Sequence, residues 1–512
     1  MRPPDPSGKA LTMPPAIPPP VLAVRDIVKT YGGVTALHGV SLDVLPGEVL
    51  CLAGENGSGK STLIKIISGV ERPDSGEIVI DGIGYRSMDP TDAIKRGIQV
   101  IYQDFSLFPN LSVAENIVLT SAVADRRHLY SGRAAQAAAR AIVDDLGFDV
   151  DLDTDVERLS VADKQLTAIC RALVNDARVL IMDEPTTALT RTEVDRLFAV
   201  VERLRSRGVA LIFVSHKLDE VLRISQRVTV LRSGEHVITS ASHDLDQGAI
   251  ARHMTGRELD ESRQVTDLEP DAGVVLEVER LGLRGAYQDV SFSLRHGEIL
   301  GVTGLLGSGR TEIAESLFGA LPHDTGTIKV DGRPVRLRSI RDAIGAGIGY
   351  VPEDRLTEGL FLDKSIADNI IAGSPDQHRN RGRLLDRRAV RKTIDGLFER
   401  LRVKAPDTRA PVRSLSGGNA QRVVLAKWLA RRPRVLILNG PTVGVDVGSK
   451  AEILGILRSE AADGRGILII SDDAPELVAC CHRVLVVRHG RIVEILQEGE
   501  VTVEAIREKV AA

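Results

Sequence analysis

The sequence predicts an α/β protein built as two tandem copies of one domain, each with largely parallel central strands. Three observations carry that expectation. The first is an internal repeat. VSLDVLPGEVLCLAGENGSGKST from Val40 returns as VSFSLRHGEILGVTGLLGSGRTE from Val290, and GIQVIYQD from Gly97 returns as GIGYVPED from Gly347, both at an offset of 250. Farther on the offset is 256, because LSVADKQ from Leu159 matches LSGGNAQ from Leu415, and VLIMDEPTTA from Val179 matches VLILNGPTVG from Val435. Six residues therefore enter the second half between these anchors. The second observation is alternation: short β-branched runs (VLIMD, ALIFVSH; VLILN, GILIIS) are separated by helical periods such as KQLTAICRALV. The third is length, since 512 residues exceed one core and suit two or three domains.

In chain order, residues 1–20 (MRPPDPSGKALTMPPAIPPP) are too rich in proline to fold and are expected to form a disordered leader. The first repeat spans 21–255, a short polar linker 256–273, the second repeat 274–505, and a C-terminal tail 506–512. A hydrophobic content of 43% with 27% charged residues is that of an ordinary globular protein, and a net charge of −4 gives no support for nucleic acid as a partner. No apolar run approaches the length of a bilayer span, and the N-terminus is not a secretory signal. Cys51, Cys170, Cys480 and Cys481 sit in apolar or helical contexts without metal-ligand spacing. They are expected as small core filler in a reducing cytoplasm.

Gly54-Glu-Asn-Gly-Ser-Gly-Lys-Ser61 satisfies the phosphate-loop pattern, follows an apolar strand (EVLCLA) and opens a helical pattern (TLIKIISG). Its glycines let backbone N–H groups approach phosphate oxygens, and the helix N-terminus adds positive potential. Lys60 is expected to reach the β- and γ-phosphates, and Ser61 to ligate Mg²⁺. Gly304-Leu-Leu-Gly-Ser-Gly-Arg-Thr311 keeps the glycines but carries Arg310 for the lysine, a bulkier fork with a different approach to phosphate. That loop either holds a nucleotide or only maintains the fold.

With the phosphate loop, Gln103, the signature-like LSVADKQ, VLIMDEP and VSH ending at His216 in this order, the first half resembles an ABC-type ATPase domain. The second half resembles another, with an intact LSGGNAQ from Leu415 to Gln421. The tandem layout, GRTE after the second loop and YVPEDR at residues 350–355 resemble the fused ATP-binding subunits of monosaccharide importers of the ribose, xylose and galactose type. The resemblance covers about residues 21–505. It implies, for each half, a mainly parallel core sheet, an antiparallel β subdomain and a helical subdomain. It also implies ATP and Mg²⁺ as ligands. Gly54, Glu55, Asn56, Gly57, Ser58, Gly59, Lys60, Ser61 and Thr62 would cradle the phosphates. Tyr31 would stack on adenine, the other reading being a core aromatic. Asp183, Ser61 and Gln103 would hold the metal, Glu184 would polarise the attacking water, and His216 would contact the γ-phosphate.

The resemblance also implies head-to-tail pairing, in which each ATP lies between one phosphate loop and the opposite signature. One site then takes Gly54–Thr62, Gln103, Asp183, Glu184 and His216 from the first half, with Ser416, Gly417, Gly418 and Asp446 from the second. The other takes Arg310, Glu353, Asn439, Gly440 and Asp472 against Val161, Ala162 and Thr190. Crossing the halves gathers every expected part at one site and every substituted part at the other. Family members normally keep an acidic pair in the second half, so Asn439–Gly440 departs from the pattern, and hydrolysis is expected at the first site alone.

The implied function is the energy-coupling subunit of a bacterial monosaccharide importer, bound peripherally at the cytoplasmic face of the membrane. Its partners would be transmembrane permease subunits and, through them, a periplasmic or extracellular solute-binding protein. Phe105, Leu107, Phe108 and Leu111 either form a permease-docking surface or simply cover the helical subdomain. A nucleoside or another small polar solute is the alternative cargo. A soluble tandem translation factor would typically carry a long charged linker and two competent sites. A repair ATPase is disfavoured by the acidic balance and the lack of zinc-type cysteine pairs.

Overall fold

A computed structural model describes residues 18–124, 131–186, 189, 191–215, 217–256, 265, 268–269, 271–379 and 384–511. Residues 1–17 of the expected leader, most of the linker, His216 and Thr190 lie outside the described residues. The chain divides into two compact units, Met1–Glu258 and Leu259–Ala512.

Each unit repeats one architecture. The first has a six-stranded sheet in the order Glu235–Ala241, Arg227–Arg232, Val49–Ala53, Ala210–Val214, Val179–Asp183, Ile98–Ile101. All neighbours are parallel except the first pair. Strands such as VLCLA and ALIFV are buried along their whole length, because helices cover both faces of a parallel sheet. The second unit has the matching order Ile348–Val351, Val435–Asn439, Gly466–Ile470, Ile299–Thr303, Arg483–Arg488, Arg491–Leu496, antiparallel only in the last pair. A four-stranded antiparallel sheet accompanies each, built on Leu22–Tyr31 in one and Val274–Leu283 in the other. A helical part completes each unit: Val113–Ala124, Gly132–Leu146 and Val161–Val174 in the first, Ile366–Ala372, Arg387–Arg400 and Gly417–Leu429 in the second.

The cores differ at one junction. In the first unit, the buried apolar residues form one cluster around the sheets and the phosphate-loop helix, and a second under the helical part. In the second unit they form a single cluster. There Phe318 stacks on Tyr350 at 5.0 Å and meets Trp428 edge-on at 5.3 Å. The repeat places Ser68, Val100 and Ala172 at these three positions in the first unit. The aromatic trio therefore bolts the signature helix Gly417–Leu429 to the sheet in the second half only.

The six-residue insertion resolves into two parts. Phe108 N donates to Asn116 Oδ1, and Phe361 N donates to Asn369 Oδ1, so these turns correspond at an offset of 253. Three residues therefore enter directly after Asp354, in the π-helical turn Arg355–Gly359, and the rest farther along. The four cysteines are buried. The tail expected from residue 506 is instead most of a helix, Val503–Ala511, because Val503, Ile506 and Val510 recur at helical spacing and Ile506 joins the core.

Candidate functional site

The first phosphate loop joins strand Val49–Ala53 to helix Lys60–Ile67. A Cβ on Gly54 would lie 2.4 Å from Leu231 O, and one on Gly59, at φ +101°, 2.6 Å from Leu37 Cδ2. Only glycine fits either position. Lys60 is buried and turns back over the loop, donating from Nζ to Gly54 O (2.6 Å) and Glu55 O (2.9 Å). This is a preformed cationic cradle in which loop carbonyls hold the ammonium that a phosphate would engage. Asn56, Gly57 and Ser61 are exposed at its mouth, Thr62 is half-buried and Ser58 buried. Tyr31, at the end of its strand, is 42% exposed with Lys29 Nζ 5.1 Å from the ring centroid, so it is a surface ring rather than a core aromatic.

Asp183 ends the neighbouring strand Val179–Asp183, and Glu184 follows it. Burial raises the Asp183 carboxyl above its usual range, the Glu184 charge adds to the rise, and Lys60 opposes it. A half-buried carboxylate pair facing a lysine is what a metal-phosphate site requires, because the incoming cation relieves both penalties. Ser61, Asp183 and Gln103, the last exposed after strand Ile98–Ile101, are the residues that would hold Mg²⁺, which would neutralise charge on the β- and γ-phosphate oxygens. Glu184 adopts φ +48° and donates its N–H to Val214 O at 3.0 Å. A non-glycine residue in this region carries strain of roughly 1–3 kcal/mol, a feature typical of functional positions.

The second half keeps the backbone and removes the chemistry. Gly440 has φ +59° and donates to Ile470 O at 2.8 Å, the bond Glu184 makes. Glycine adopts that conformation without strain, so loss of the carboxylate also relaxes the chain. Asn439 is buried and hydrogen-bonded to the Tyr350 hydroxyl, whose pKa is raised chiefly by burial. Arg310 donates from Nη1 to Gly304 O (2.8 Å), while Nη2 lies 3.6 Å from Asp472. A carboxylate thus faces the loop's own cation. Leu305 and Leu306 stand exposed where the first loop has Glu55 and Asn56.

The two signatures differ in a way their glycines do not reveal. In the first, Ser160 Oγ accepts from Asp163 N (3.1 Å) and donates to Asp163 Oδ2 (2.8 Å). Ser160 is thus the cap of helix Val161–Val174, and it holds the Asp163 carboxylate in the first turn. In the second, Ser416 makes no cap to the backbone and accepts from Asn419 Nδ2 at 2.9 Å, leaving the first turn of helix Gly417–Leu429 neutral and open to an anion. The spacing S-x-x-D was the readable signal for this difference. Asp446 caps helix Val447–Ala462, accepting from Ser449 N (2.8 Å) and Ser449 Oγ (3.1 Å).

Two phosphate loops, each leading from a parallel strand into a helix, with an acidic strand end and a signature helix, define a tandem P-loop ATPase of the ABC class. The ABC transporter family model matches residues 37–187 and 287–443, and the chain belongs to that family. It is 45% identical to ribose import ATP-binding protein RbsA 2 of Streptomyces avermitilis, over 96% of both chains. It is 44% identical to RbsA 3 of Rubrobacter xylanophilus, over 95% of this chain and 97% of that one. Against the RbsA of Rhodococcus jostii the identity is 43%, over 97% and 98%. Among solved structures, the complex of an archaeal ribosome recycling factor, aABCE1, with a stalk protein matches 92% of this chain and 90% of that chain, with a TM-score of 0.59 and 19% identity, a likeness of fold alone. The chain is an ATPase of the transporter class, and among the described residues no helix is long and apolar enough to cross a membrane.

Proposed function

We propose that this chain is the energy-coupling ATPase of a bacterial importer for a monosaccharide such as ribose, with a nucleoside or similar small polar solute as the alternative cargo. ATP would be hydrolysed at one composite site: Lys60, Ser61, Gln103, Asp183 and Glu184 from the first half, and Ser416, Gly417 and Gly418 from the second. His216 would contact the γ-phosphate there. The observation that carries this reading is the electrostatic contrast of the two signatures, with the Asp163 carboxylate held in the first turn of one and a neutral, open turn at the other. An open helix N-terminus accepts a γ-phosphate, and a carboxylate-capped one repels it. The accepting signature belongs to the half that lacks the general base, which supports a crossed arrangement of the halves.

In this reading, ATP joins the halves, Glu184 polarises the attacking water, and hydrolysis releases them. The second phosphate loop supports structure, because Gly440 cannot activate water and Asn439 is held by Tyr350. The cycle would be passed to transmembrane permease subunits around Gln103 and the segment 102–116, in which Phe108 is 50% exposed. A solute-binding protein outside the membrane would act indirectly, and the chain would lie peripherally at the cytoplasmic face. Three of the 45–43% identical relatives carry ribose import in their names, which supports a sugar cargo.

The test is reconstitution with the permease and binding protein in liposomes. ATP-dependent uptake of labelled ribose, abolished by Glu184→Gln, is expected. Uptake of a nucleoside with ribose excluded would move the assignment to the alternative, and binding to ribosomes without uptake would overturn it.

A further inference from the structure

The turn Arg355–Gly359 carries the three residues by which the second half exceeds the first at this point, and Arg355 opens it. Its half-buried guanidinium reaches a separate loop, donating from Nη1 to Val443 O (2.5 Å) and from Nη2 to Gly444 O (3.1 Å). The same Nη2 lies against the signature. A Cβ on Gly417 would come within 2.9 Å of it and within 2.7 Å of Gly444 O. Gly418 is gripped from the other side, where a Cβ would lie 2.3 Å from Ser449 Oγ, the group bonded to Asp446. One guanidinium therefore joins the turn after Glu353, the loop 443–446 and the N-terminus of the signature helix.

The base of the strut is fixed as well. Asp354 Oδ1 accepts from Leu356 N (3.0 Å) and Thr357 N (3.2 Å), and Lys427 Nζ of the signature helix donates to Gly359 O (3.0 Å). Burial pulls the Arg355 guanidinium below its usual range, with only Asp354 opposing, and its Nε finds no partner. Stability alone does not favour a half-desolvated charge here. In the first half Phe105 follows Asp104 and can donate nothing from its side chain, and there the signature is the substituted LSVADKQ. The strut and the intact signature occur in the same half.

We propose that Arg355 is a positioning residue for ATP hydrolysis. It holds the loop 443–446 and the N–H groups of Gly417 and Gly418 in the geometry that closes on a γ-phosphate. The proposal rests on the crossed-site reading above. The rigid fork spans two successive carbonyls, which a lysine cannot do. Its charge also adds to the positive end of the signature helix.

The test uses the full-length chain assembled with its permease, and compares wild type, Arg355→Gln, Arg355→Lys and Ser416→Arg. Losing both charge-assisted bonds is expected to lower kcat about tenfold in Arg355→Gln, with ATP affinity changed less than about twofold because binding begins at the first phosphate loop. Arg355→Lys should recover part of kcat, since one carbonyl remains in reach. Melting should shift by no more than about 4 °C. If Ser416→Arg abolishes turnover while Arg355→Gln keeps kcat, the proposal falls and the crossed site stands. If Ser416→Arg keeps full turnover, the crossed site itself falls. A kcat loss in Arg355→Gln that is matched by lost thermal stability and disappears in the cold would also overturn the proposal, by making Arg355 a structural staple.

Discussion

Ser160 and Asp163 bond to each other twice, through Asp163 N–H to Oγ at 3.1 Å and Oγ–H to Oδ2 at 2.8 Å, and so close the first signature helix against anions. The matching pair in the second half, Ser416 and Asn419, makes one neutral contact at 2.9 Å. On the proposed function, one position serves as a helix cap in the first half and would receive a phosphate in the second. Asp163→Ala removes the carboxylate but leaves the Ser160 cap on the residue-163 N–H, so it should change stability by less than about 1 kcal/mol and leave turnover within about twofold. Ser416→Ala should cost little stability and markedly reduce turnover. Thermal melts and steady-state ATPase rates on the two variants check the contrast, and equal loss of turnover in both would refute it.

The second prediction concerns the acidic pair. Glu184→Gln should lower turnover by about 10²–10⁴, the usual effect of removing a general base. Glu353→Ala should leave most of it. The converse repair should fail: Asn439→Asp with Gly440→Glu restores both carboxylates, yet a Cβ at residue 440 would meet Val443 Cγ2 at 2.8 Å and Glu353 Cγ at 3.3 Å. In a Glu184→Gln background, the repaired chain should show no recovered turnover and a lowered melting temperature. Recovered hydrolysis would show that the second site had lost only its side chains.

Much of this was legible in the sequence. The repeat pointed to two α/β units, and the glycines of Gly54–Ser61 ending in Lys60-Ser61, between an apolar strand and a helix, announced a phosphate cradle. Other features were not legible. The offsets alone located the insertion between two anchors, and assigning three residues to the Arg355 turn needed the shared Asn116 and Asn369 bonds. The capture of Asn439 by Tyr350 depends on a cross-strand neighbour that no local pattern names. Glu184's left-handed backbone was equally hidden, because propensity disfavours it and the surrounding fold overrides propensity. The Ser160–Asp163 pair is visible as S-x-x-D, next to the more conspicuous Val161 and Ala162.

Packing gives the third prediction. Trp428 joins Phe318 and Tyr350 in the second unit, where the first has Ala172, Ser68 and Val100. Trp428→Ala should destabilise the second unit by about 3–5 kcal/mol through cavity formation, while nucleotide affinity of the first phosphate loop stays unchanged. Calorimetry should show the loss in one of two transitions. A shift of both equally would mean the units melt as one.

A buried acid gives the fourth prediction. Glu476 is raised to about 7 chiefly by burial, with Lys450 and the bond from Ser471 Oγ (2.6 Å) opposing the rise. Its folded pKa lies above its unfolded value of 4.5, so the unfolded chain releases the proton first as pH rises. The stability associated with the protonated form is complete below about pH 4.5 and is lost by about pH 7. Glu476→Gln should remove that decline, making the variant's stability less dependent on pH across this window, by roughly 1–3 kcal/mol relative to wild type. Denaturant melts at several pH values read it directly, and parallel pH profiles would exclude Glu476 as the cause.

The last prediction addresses the second phosphate loop. Arg310 Nη2 stands 3.6 Å from Asp472, so the cation left in that loop already faces a carboxylate. Arg310 is buried but Asp472 is 75% exposed, and a pair screened by solvent on its acidic side contributes only about 1 kcal/mol, so its removal should change anion affinity a few-fold rather than by orders of magnitude. In a chain whose first loop is disabled by Lys60→Ala, Asp472→Ser should raise affinity for a fluorescent nucleotide about two- to fivefold on that scale, and low salt should enlarge the difference. Hydrolysis should stay at background, because neither Asn439 nor Gly440 supplies a carboxylate. Unchanged affinity would mean that Asp472 does not oppose the incoming phosphate, and that the exposed Leu305 and Leu306 or the bulk of Arg310 closes the loop instead.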